Sequence, residues 1–256
     1  MELDIQPIKA FNDNYIWCMV KGPHCVVVDP GDAAPVLDYC KQHKLTLNAI
    51  LITHHHWDHT NGINDLLNEF GEIPVYGPQN PQIPQITHPL KQGQQVDLAA
   101  LALNFSVIEV PGHTLDHIAY HGDDMLFCGD TLFSAGCGRL FEGSPQQMFD
   151  SLEKLANLAP QTKVYCTHEY TQANIKFALA VEPNNQQLLE YEQWAVQQRQ
   201  QGLPTLPSSI AKECAINPFL RCQETEVMAV AQSHSNGDVN SALEAFSALR
   251  SWKDHF

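Results

Sequence analysis

The segment Thr53-His54-His55-His56-Trp57-Asp58-His59 concentrates metal-binding side chains in one short stretch. It follows Ala49-Ile50-Leu51-Ile52, an apolar run that reads as a buried strand. Side chains alternate along an extended chain, so His54 and His56 point to one side and His55 to the other. A turn toward a helix near Gly62 lets Asp58 and His59 approach the same space from the other flank. Imidazole and carboxylate donors suit zinc, iron or manganese. A histidine run can also be a purification tag, but tags sit at termini and lack the aspartate.

Four ligands cannot supply two metals, so further donors must come from elsewhere. Three candidates follow one grammar, an apolar strand and then a donor at its C-terminal end. They are Pro111-Gly112-His113, Gly129-Asp130 and Thr167-His168. Singly each is weak, because a Gly-Asp pair is usually a turn and a strand-end histidine is usually not a ligand. With the first cluster they make one coherent site.

The framework that must carry these residues reads as α/β over the first two-thirds. Strand-like runs fall at 15–20, 25–29, 49–53, 105–110, 125–128 and 163–166, with helical stretches at 33–43 and 62–70 between them. Another helix starts at Ser144-Pro145-Gln146-Gln147. Ser144 is a good N-cap, Pro145 suits the first helical position, and Gln147 completes a capping box. The character changes after His168. Residues 184–201 form a polar, Gln-rich helical stretch and 238–252 read as a further helix with Asp238 as its N-cap. No convincing strand follows Thr171. A layered α/β domain at 1–170 and an α-helical domain at 171–256 are expected.

Composition narrows the function. The chain has 256 residues and a formal net charge of −15. A nucleic-acid partner would need a basic stripe, and none is visible. The acidic balance also disfavours anionic membrane surfaces, and no apolar run approaches membrane-spanning length. The start Met-Glu-Leu-Asp lacks the pattern of a secretory signal, so a cytoplasmic protein is expected. The eight cysteines form no C-x-x-C pair and read as buried thiols rather than disulfides or a zinc site.

Thr-His-x-His-x-Asp-His, followed by Pro111-Gly112-His113-Thr114, Gly129-Asp130-Thr131 and His168, resembles the metallo-β-lactamase superfamily. Four further motifs are similar to those of one family within it, glyoxalase II (hydroxyacylglutathione hydrolase). They are Ala135-Gly136-Cys137-Gly138-Arg139, Tyr165-Cys166-Thr167-His168-Glu169-Tyr170, Asn217-Pro218-Phe219-Leu220-Arg221 and Leu249-Arg250-Ser251-Trp252-Lys253-Asp254. The resemblance runs over nearly the whole chain. It implies a metallo-β-lactamase αββα sandwich with a C-terminal α-helical, substrate-binding domain.

By that resemblance, His54, His56, His113 and Asp130 hold one divalent ion, and Asp58, His59, Asp130 and His168 hold a second. Asp58 and Asp130 would act through the metal-bound hydroxide. Zinc is the first choice, with iron or manganese also suited. Two divalent ions against two carboxylates and one hydroxide leave about +1, able to receive an anionic tetrahedral intermediate. Metal binding lowers the pKa of water toward ~7, so no separate protein base is needed. The reaction implied is hydrolysis of S-lactoylglutathione and related S-2-hydroxyacylglutathiones to glutathione and D-lactate, the second step of methylglyoxal detoxification. A thiolate leaves readily and needs little acid help.

His24, His43, His88, His117, His121 and His255 read as surface or supporting histidines. Val239, Leu243, Phe246, Arg250 and Lys253 lie on one helical stripe, apolar at first and ending in two cations. On spacing alone these are snorkelling basic residues that complement a helix C-terminus. The resemblance instead assigns Arg250 and Lys253 to the glycine carboxylate of glutathione, and adds Arg139, Tyr170 and Asn174 on the substrate side. Phe141 stands where the family often has tyrosine, and it cannot make that hydrogen bond. Arg139 stands where some members have lysine, a different donor. The partner expected is a small glutathione thioester, with no nucleic acid, no membrane and a monomeric chain. A persulfide dioxygenase would not need His59 and His168 as ligands, a β-lactamase would carry a secretory signal, and a nuclease would not be this acidic. A structural metal site would be closed, whereas this set leaves room for water.

Overall fold

The computed structural model describes residues 2–235 and 237–256. They pack as two compact units, 2–109 with Asp116–Gly129, and Val110–Leu115 with 130–235 and 237–256.

The first unit runs β1 (Asp4–Ala10), β2 (Asn14–Lys21), β3 (His24–Val28), α1 (Ala34–His43), β4 (Thr46–Leu51), α2 (Trp57–Thr60), α3 (Ile63–Phe70), β5 (Val75–Pro78), β6 (His88–Leu90), β7 (Gln95–Leu98), β8 (Leu103–Glu109), β9 (Ile118–Gly122) and β10 (Met125–Gly129). Strands β1 to β6 form one sheet in sequence order, antiparallel from β1 to β3 and parallel from β3 to β6. Strands β7 to β10 form an antiparallel run, also in sequence order.

Period two decides the layers. Ile16 and Cys18 of β2 join Val36 and Cys40 of α1 and Ile63 and Leu66 of α3 in one core cluster. Tyr15, Trp17 and Met19 point to the opposite face and are equally buried. Val26, Val27 and Val28 of β3 and Ile50 and Leu51 of β4 are buried whichever way they point. Each contributes roughly 1.5–3 kcal/mol by leaving water. Tyr120 of β9 donates its hydroxyl to the Ile52 carbonyl at 2.7 Å, and Ile118 N donates to Thr53 O at 2.9 Å. These bonds fasten the antiparallel strands to the loop after β4.

The second unit contains β11 (Leu132–Phe133), β12 (Gly136–Cys137), α4 (Pro145–Ala156), β13 (Lys163–Cys166), α5 (Thr171–Val181), α6 (Gln186–Gln200), β14 (Ser208–Ser209), α7 (Ile210–Ile216), α8 (Thr225–Ser233) and α9 (Ala242–Lys253). The Ser144 capping box forms in both directions. Ser144 Oγ accepts from Gln147 N at 3.2 Å, and Gln147 Oε1 accepts from Ser144 N at 2.9 Å. Ser144→Ala is expected to cost about 1 kcal/mol, read as a lower urea midpoint with an unchanged m-value. An unchanged midpoint would show that the box adds nothing to stability.

Two expectations need correction. The last helix starts at Ala242, not Asp238, because Ser241 is the better cap. Ser241 Oγ accepts from Glu244 N at 3.3 Å, and Glu244 Oε2 accepts from Asn240 N at 2.7 Å. Val239 therefore lies outside the helix, where its N–H donates to Gln232 Oε1 at 2.8 Å. The helical third also contains a strand pair, in which Ser208–Ser209 of β14 lies antiparallel to β13. The eight cysteines remain thiols, as expected. Among the described residues, no helix is long and apolar enough to cross a membrane.

Candidate metal centre

In the first unit the metal-type donors stand where β4 gives way to α2. His54 and His59 are fully buried, and His56 and Asp58 are half-buried. His54 Nε2 and His56 Nδ1 face each other at 3.1 Å. His59 Nε2 lies 3.6 Å from Asp58 Oδ2. The His54 and His59 rings approach to 4.1 Å between centroids.

Supporting groups set the orientation of these donors. Asp29, at the end of β3, accepts from Thr53 N and from Thr53 Oγ1, each at 2.8 Å. The Thr53 hydroxyl has only one proton, so at 3.0 Å it must accept from His54 Nδ1. That tautomer leaves His54 Nε2 with its lone pair directed at His56. Asp29 Oδ2 also lies 3.0 Å from His59 Nδ1, while His59 Nε2 is the ring nitrogen that faces Asp58. Asn14 Nδ2 donates to Asp58 Oδ2 at 3.0 Å. His117 is buried and stacks on His54 with ring centroids 4.5 Å apart. At Gly31 an added Cβ would meet Asp58 O at 1.8 Å, so only glycine lets the Asp29 loop lie against Asp58.

His55 points elsewhere, as alternation requires. Its Nδ1 lies 2.9 Å from Asp116 Oδ1, and Asp116 Oδ2 accepts from Asn80 Nδ2 at 2.7 Å.

In the second unit Asp130 is the hub. His113 Nε2 lies 3.5 Å and His168 Nε2 3.4 Å from its Oδ2, and all three residues are buried. His113 Nδ1 donates to the Arg139 carbonyl at 2.7 Å, which fixes Nε2 as the lone-pair nitrogen. At Gly138 a Cβ would sit 1.9 Å from Asp130 O, so the chain can pass there only without a side chain.

The residues fit metal ions on chemical grounds. Imidazole nitrogens and carboxylate oxygens, the atom types that bind divalent ions, lie 3.1 and 3.6 Å apart in the first unit and 3.4 and 3.5 Å apart in the second. Where Nδ1 is committed as a donor, as at His113, the Nε2 lone pair and the Asp130 carboxylate repel unless a cation lies between them. Each of the seven belongs to a His and Asp cluster of the kind that holds a binuclear site. Carboxylates or carbonyls behind His59 and His113 are the support that metal-binding imidazoles use. Asp29→Asn is expected to weaken metal affinity by about 10 to 100-fold in a chelator competition. Unaltered affinity would show that Asp29 does not orient His59.

The substrate-side candidates lie in the second unit. Tyr170 is partly exposed and stacks on His168, ring centroids 4.6 Å apart and planes at 4°. Asn174 is buried and donates Nδ2 to Ser134 O at 3.0 Å. Arg250 is buried rather than snorkelling. Its Nη1 donates to Cys137 O at 3.0 Å, and its Nη2 pairs with Asp254 at 3.0 Å. Arg139 is exposed, with Nε 3.6 Å from the same Asp254 oxygen. Lys253 Nζ lies 5.1 Å from the centre of the Phe177 ring. Its pKa falls to about 8, first through burial and then through the Arg250 charge. Phe141 is exposed, edge-on to His113 at 5.2 Å, with the Arg139 guanidinium 5.6 Å from its ring centre.

Residues 14–168 match the family profile described as "Metallo-beta-lactamase superfamily", and residues 169–256 match "Hydroxyacylglutathione hydrolase C-terminus". The hydroxyacylglutathione hydrolase of Nitrosomonas europaea is 50% identical over 254 residues, covering 99% of this chain and 97% of that protein. That of Aliivibrio fischeri is 52% identical over 255 residues, covering 99% of this chain and 100% of that protein. The chain belongs to the hydroxyacylglutathione hydrolase family. Among solved structures, TTHA1623 in a di-iron-bound form aligns with a TM-score of 0.61 at 23% identity, covering 84% of this chain and 100% of that one. At that identity the likeness speaks for the fold. The fold is that of the metallo-β-lactamases, with two mixed sheets, and this family adds the helical C-terminus.

Three supporting residues escape a reading of motifs. Asp29 alone carried a signal, since it too is a donor at the end of an apolar strand. Asn14 carried none, and His117 stood only among six histidines read as surface or supporting.

Proposed function

We propose that this chain hydrolyses the thioester of S-lactoylglutathione, and of related S-2-hydroxyacylglutathiones, to glutathione and the free 2-hydroxy acid, D-lactate in the first case. The reaction is the second step of methylglyoxal detoxification. Histidine and aspartate clusters of metal-binding type, in a chain half identical to hydroxyacylglutathione hydrolases along its length, support this chemistry above any other.

On the family's pattern, His54, His56, His113 and Asp130 would hold one divalent ion, and Asp58, His59, Asp130 and His168 would hold the other. Zinc suits this donor set first, and iron or manganese also fit it. Such ions supply Lewis acidity toward a carbonyl oxygen and a water ionised near neutral pH. The chain's own residues do the rest. Asn14 holds the Asp58 carboxylate in place, and the bonds at Nδ1 of His54 and His113 make Nε2 the lone-pair nitrogen of each ring. His54, His59, His113 and His168 are buried, which keeps bulk water away from these donors.

Residues 1–170 form the catalytic part and 171–256 the substrate-binding part. Arg250 and Lys253 receive the glycine carboxylate of glutathione, and Arg139, Tyr170 and Asn174 are further substrate-side positions on the family's pattern. Glutathione is anionic, and in a chain of charge −15 it must find a local group of cations. The protein works as a cytoplasmic monomer.

The deciding experiment is a thioesterase assay with S-lactoylglutathione on purified protein, with metal content measured alongside. Turnover by protein holding two ions per chain is expected. No hydrolysis by such a preparation would overturn the assignment.

A further inference from the structure

Glu213 on α7 is fully buried and takes no part in the chemistry above. Burial pushes its pKa up, and hydrogen bonds from Ser208, Ala135 and Asn217 oppose that rise. A buried carboxylate is costly unless its lone pairs are satisfied, and a packed apolar residue would avoid the cost. Its presence therefore calls for a reason.

The bonds of Glu213 and its neighbours converge on one short segment, 133–136. Glu213 Oε2 accepts from Ala135 N at 2.8 Å and from Asn217 Nδ2 at 3.1 Å, and Oε1 accepts from Ser208 Oγ. Asn217 Nδ2 also reaches Phe133 O at 3.1 Å and Gly136 O at 2.9 Å. The Tyr191 hydroxyl lies 2.8 Å from Ser134 Oγ, and Asn174 Nδ2 donates to Ser134 O at 3.0 Å. Each residue of the segment is thus held by a side chain from the helical part. Ala135 sits at φ 55°, a left-handed conformation disfavoured for any residue with a Cβ. The bond from its N–H to Glu213 holds it there.

The segment must be held because the next residues along the chain carry two orienting carbonyls. The Cys137 carbonyl accepts from Arg250 Nη1 at 3.0 Å, and the Arg139 carbonyl accepts from His113 Nδ1 at 2.7 Å. One stretch of backbone thus orients a substrate-side cation and a metal-type histidine. We propose that Glu213, Asn217 and Tyr191 are positioning residues. They fix 133–136 and, through the Cys137 and Arg139 carbonyls, the aim of Arg250 and His113. The inference rests on the thioester-hydrolase reading, because it is read out through that substrate.

The test compares Glu213→Ala, Glu213→Gln and Tyr191→Phe in steady-state turnover of S-lactoylglutathione, with metal content and Tm measured on each. Glu213→Ala is expected to raise KM about tenfold, to leave kcat within about threefold and to retain two ions per chain. Glutamine keeps an acceptor for Ala135 N and should bring KM back to within about twofold of the unmodified protein. Tyr191→Phe removes only the hydroxyl at Ser134 and should raise KM about threefold with Tm unchanged; this variant decides the matter if Glu213→Ala does not fold. An unchanged KM in the folded variants, or a glutamine variant as impaired as alanine, overturns the positioning role while the functional assignment stands. Absence of hydrolysis by the unmodified chain overturns both.

Discussion

Asp130→Ala is expected to leave the protein with fewer than one tightly held ion per chain and to lower kcat/KM for S-lactoylglutathione by roughly a thousandfold or more. Asp130 Oδ2 lies 3.5 Å from His113 Nε2 and 3.4 Å from His168 Nε2, although the proposed assignment gives these histidines to different ions. Removing one carboxylate therefore takes a ligand and a negative charge from both ions at once. The remaining donors are mostly neutral imidazoles, which offset the charge of two cations poorly. Lewis-acid stabilisation is worth several kcal/mol, and about 1.4 kcal/mol corresponds to tenfold in rate. Metal analysis and turnover on the same preparation check the prediction. Full metal occupancy in the variant would remove Asp130 from its shared position. Asp130→Asn separates charge from shape, since it keeps the size and one acceptor but loses the anionic oxygen. If charge dominates, asparagine should behave like alanine.

Sequence patterning reached the layered framework because its long elements are locally consistent. The runs at β2, β3, β4, β8, β10 and β13 are apolar, and α4 carries both halves of its capping box within four consecutive residues. Short strands were out of reach. Gly136–Cys137 and Ser208–Ser209 are two residues each, and Val75–Pro78 contains Gly and Pro. None is long enough to show a period, and their partners are set by tertiary packing. The misplaced start of α9 has a different origin. Asp238 and Ser241 are both acceptable caps by type, and only Glu244 reaching back to Asn240 decides between them.

The candidate ligands were legible for a local reason, since each follows an apolar run and carries a donor. Their supports were not. Asp29 meets Thr53 across 24 residues of sequence, and Asn14 meets Asp58 across 44. Nothing in the composition of Asn-Asp-Asn-Tyr at 12–15 announces a partner so far away. Arg250 shows the same limit from the other side. Helical spacing places it on the packed face, but its bond to Cys137 spans 113 residues and makes it structural as well as cationic.

That double role shapes the second large effect. Arg250→Ala combined with Lys253→Ala is expected to raise KM for the glutathione thioester by roughly a hundredfold while kcat changes far less. Charge-assisted contacts to a carboxylate act on ground state and transition state alike, so their loss appears in KM. The single variants should differ. Lys253 is half-buried over Phe177, and Lys253→Ala should raise KM by about tenfold with little change in Tm. Arg250→Ala should also lower Tm, because it leaves Cys137 O and Asp254 without the guanidinium that now meets both. The pH dependence distinguishes the two cations. Burial, then the Arg250 charge, brings the Lys253 pKa down to about 8, so this ammonium is charged below pH 8 and neutral above it. Carboxylate binding through Lys253 should accordingly weaken as pH rises through about 8, and KM should climb there. Lys253→Arg keeps its charge throughout and should remove the climb. The linkage to stability runs the other way. A lysine whose folded pKa lies below its unfolded value costs stability while both states are charged, and that cost is relieved as pH rises above about 8. A KM that stays flat across pH 8 in the unmodified protein would place the substrate carboxylate away from Lys253. A double variant that lost kcat at constant KM would place both cations in the chemical step instead of the carboxylate clamp.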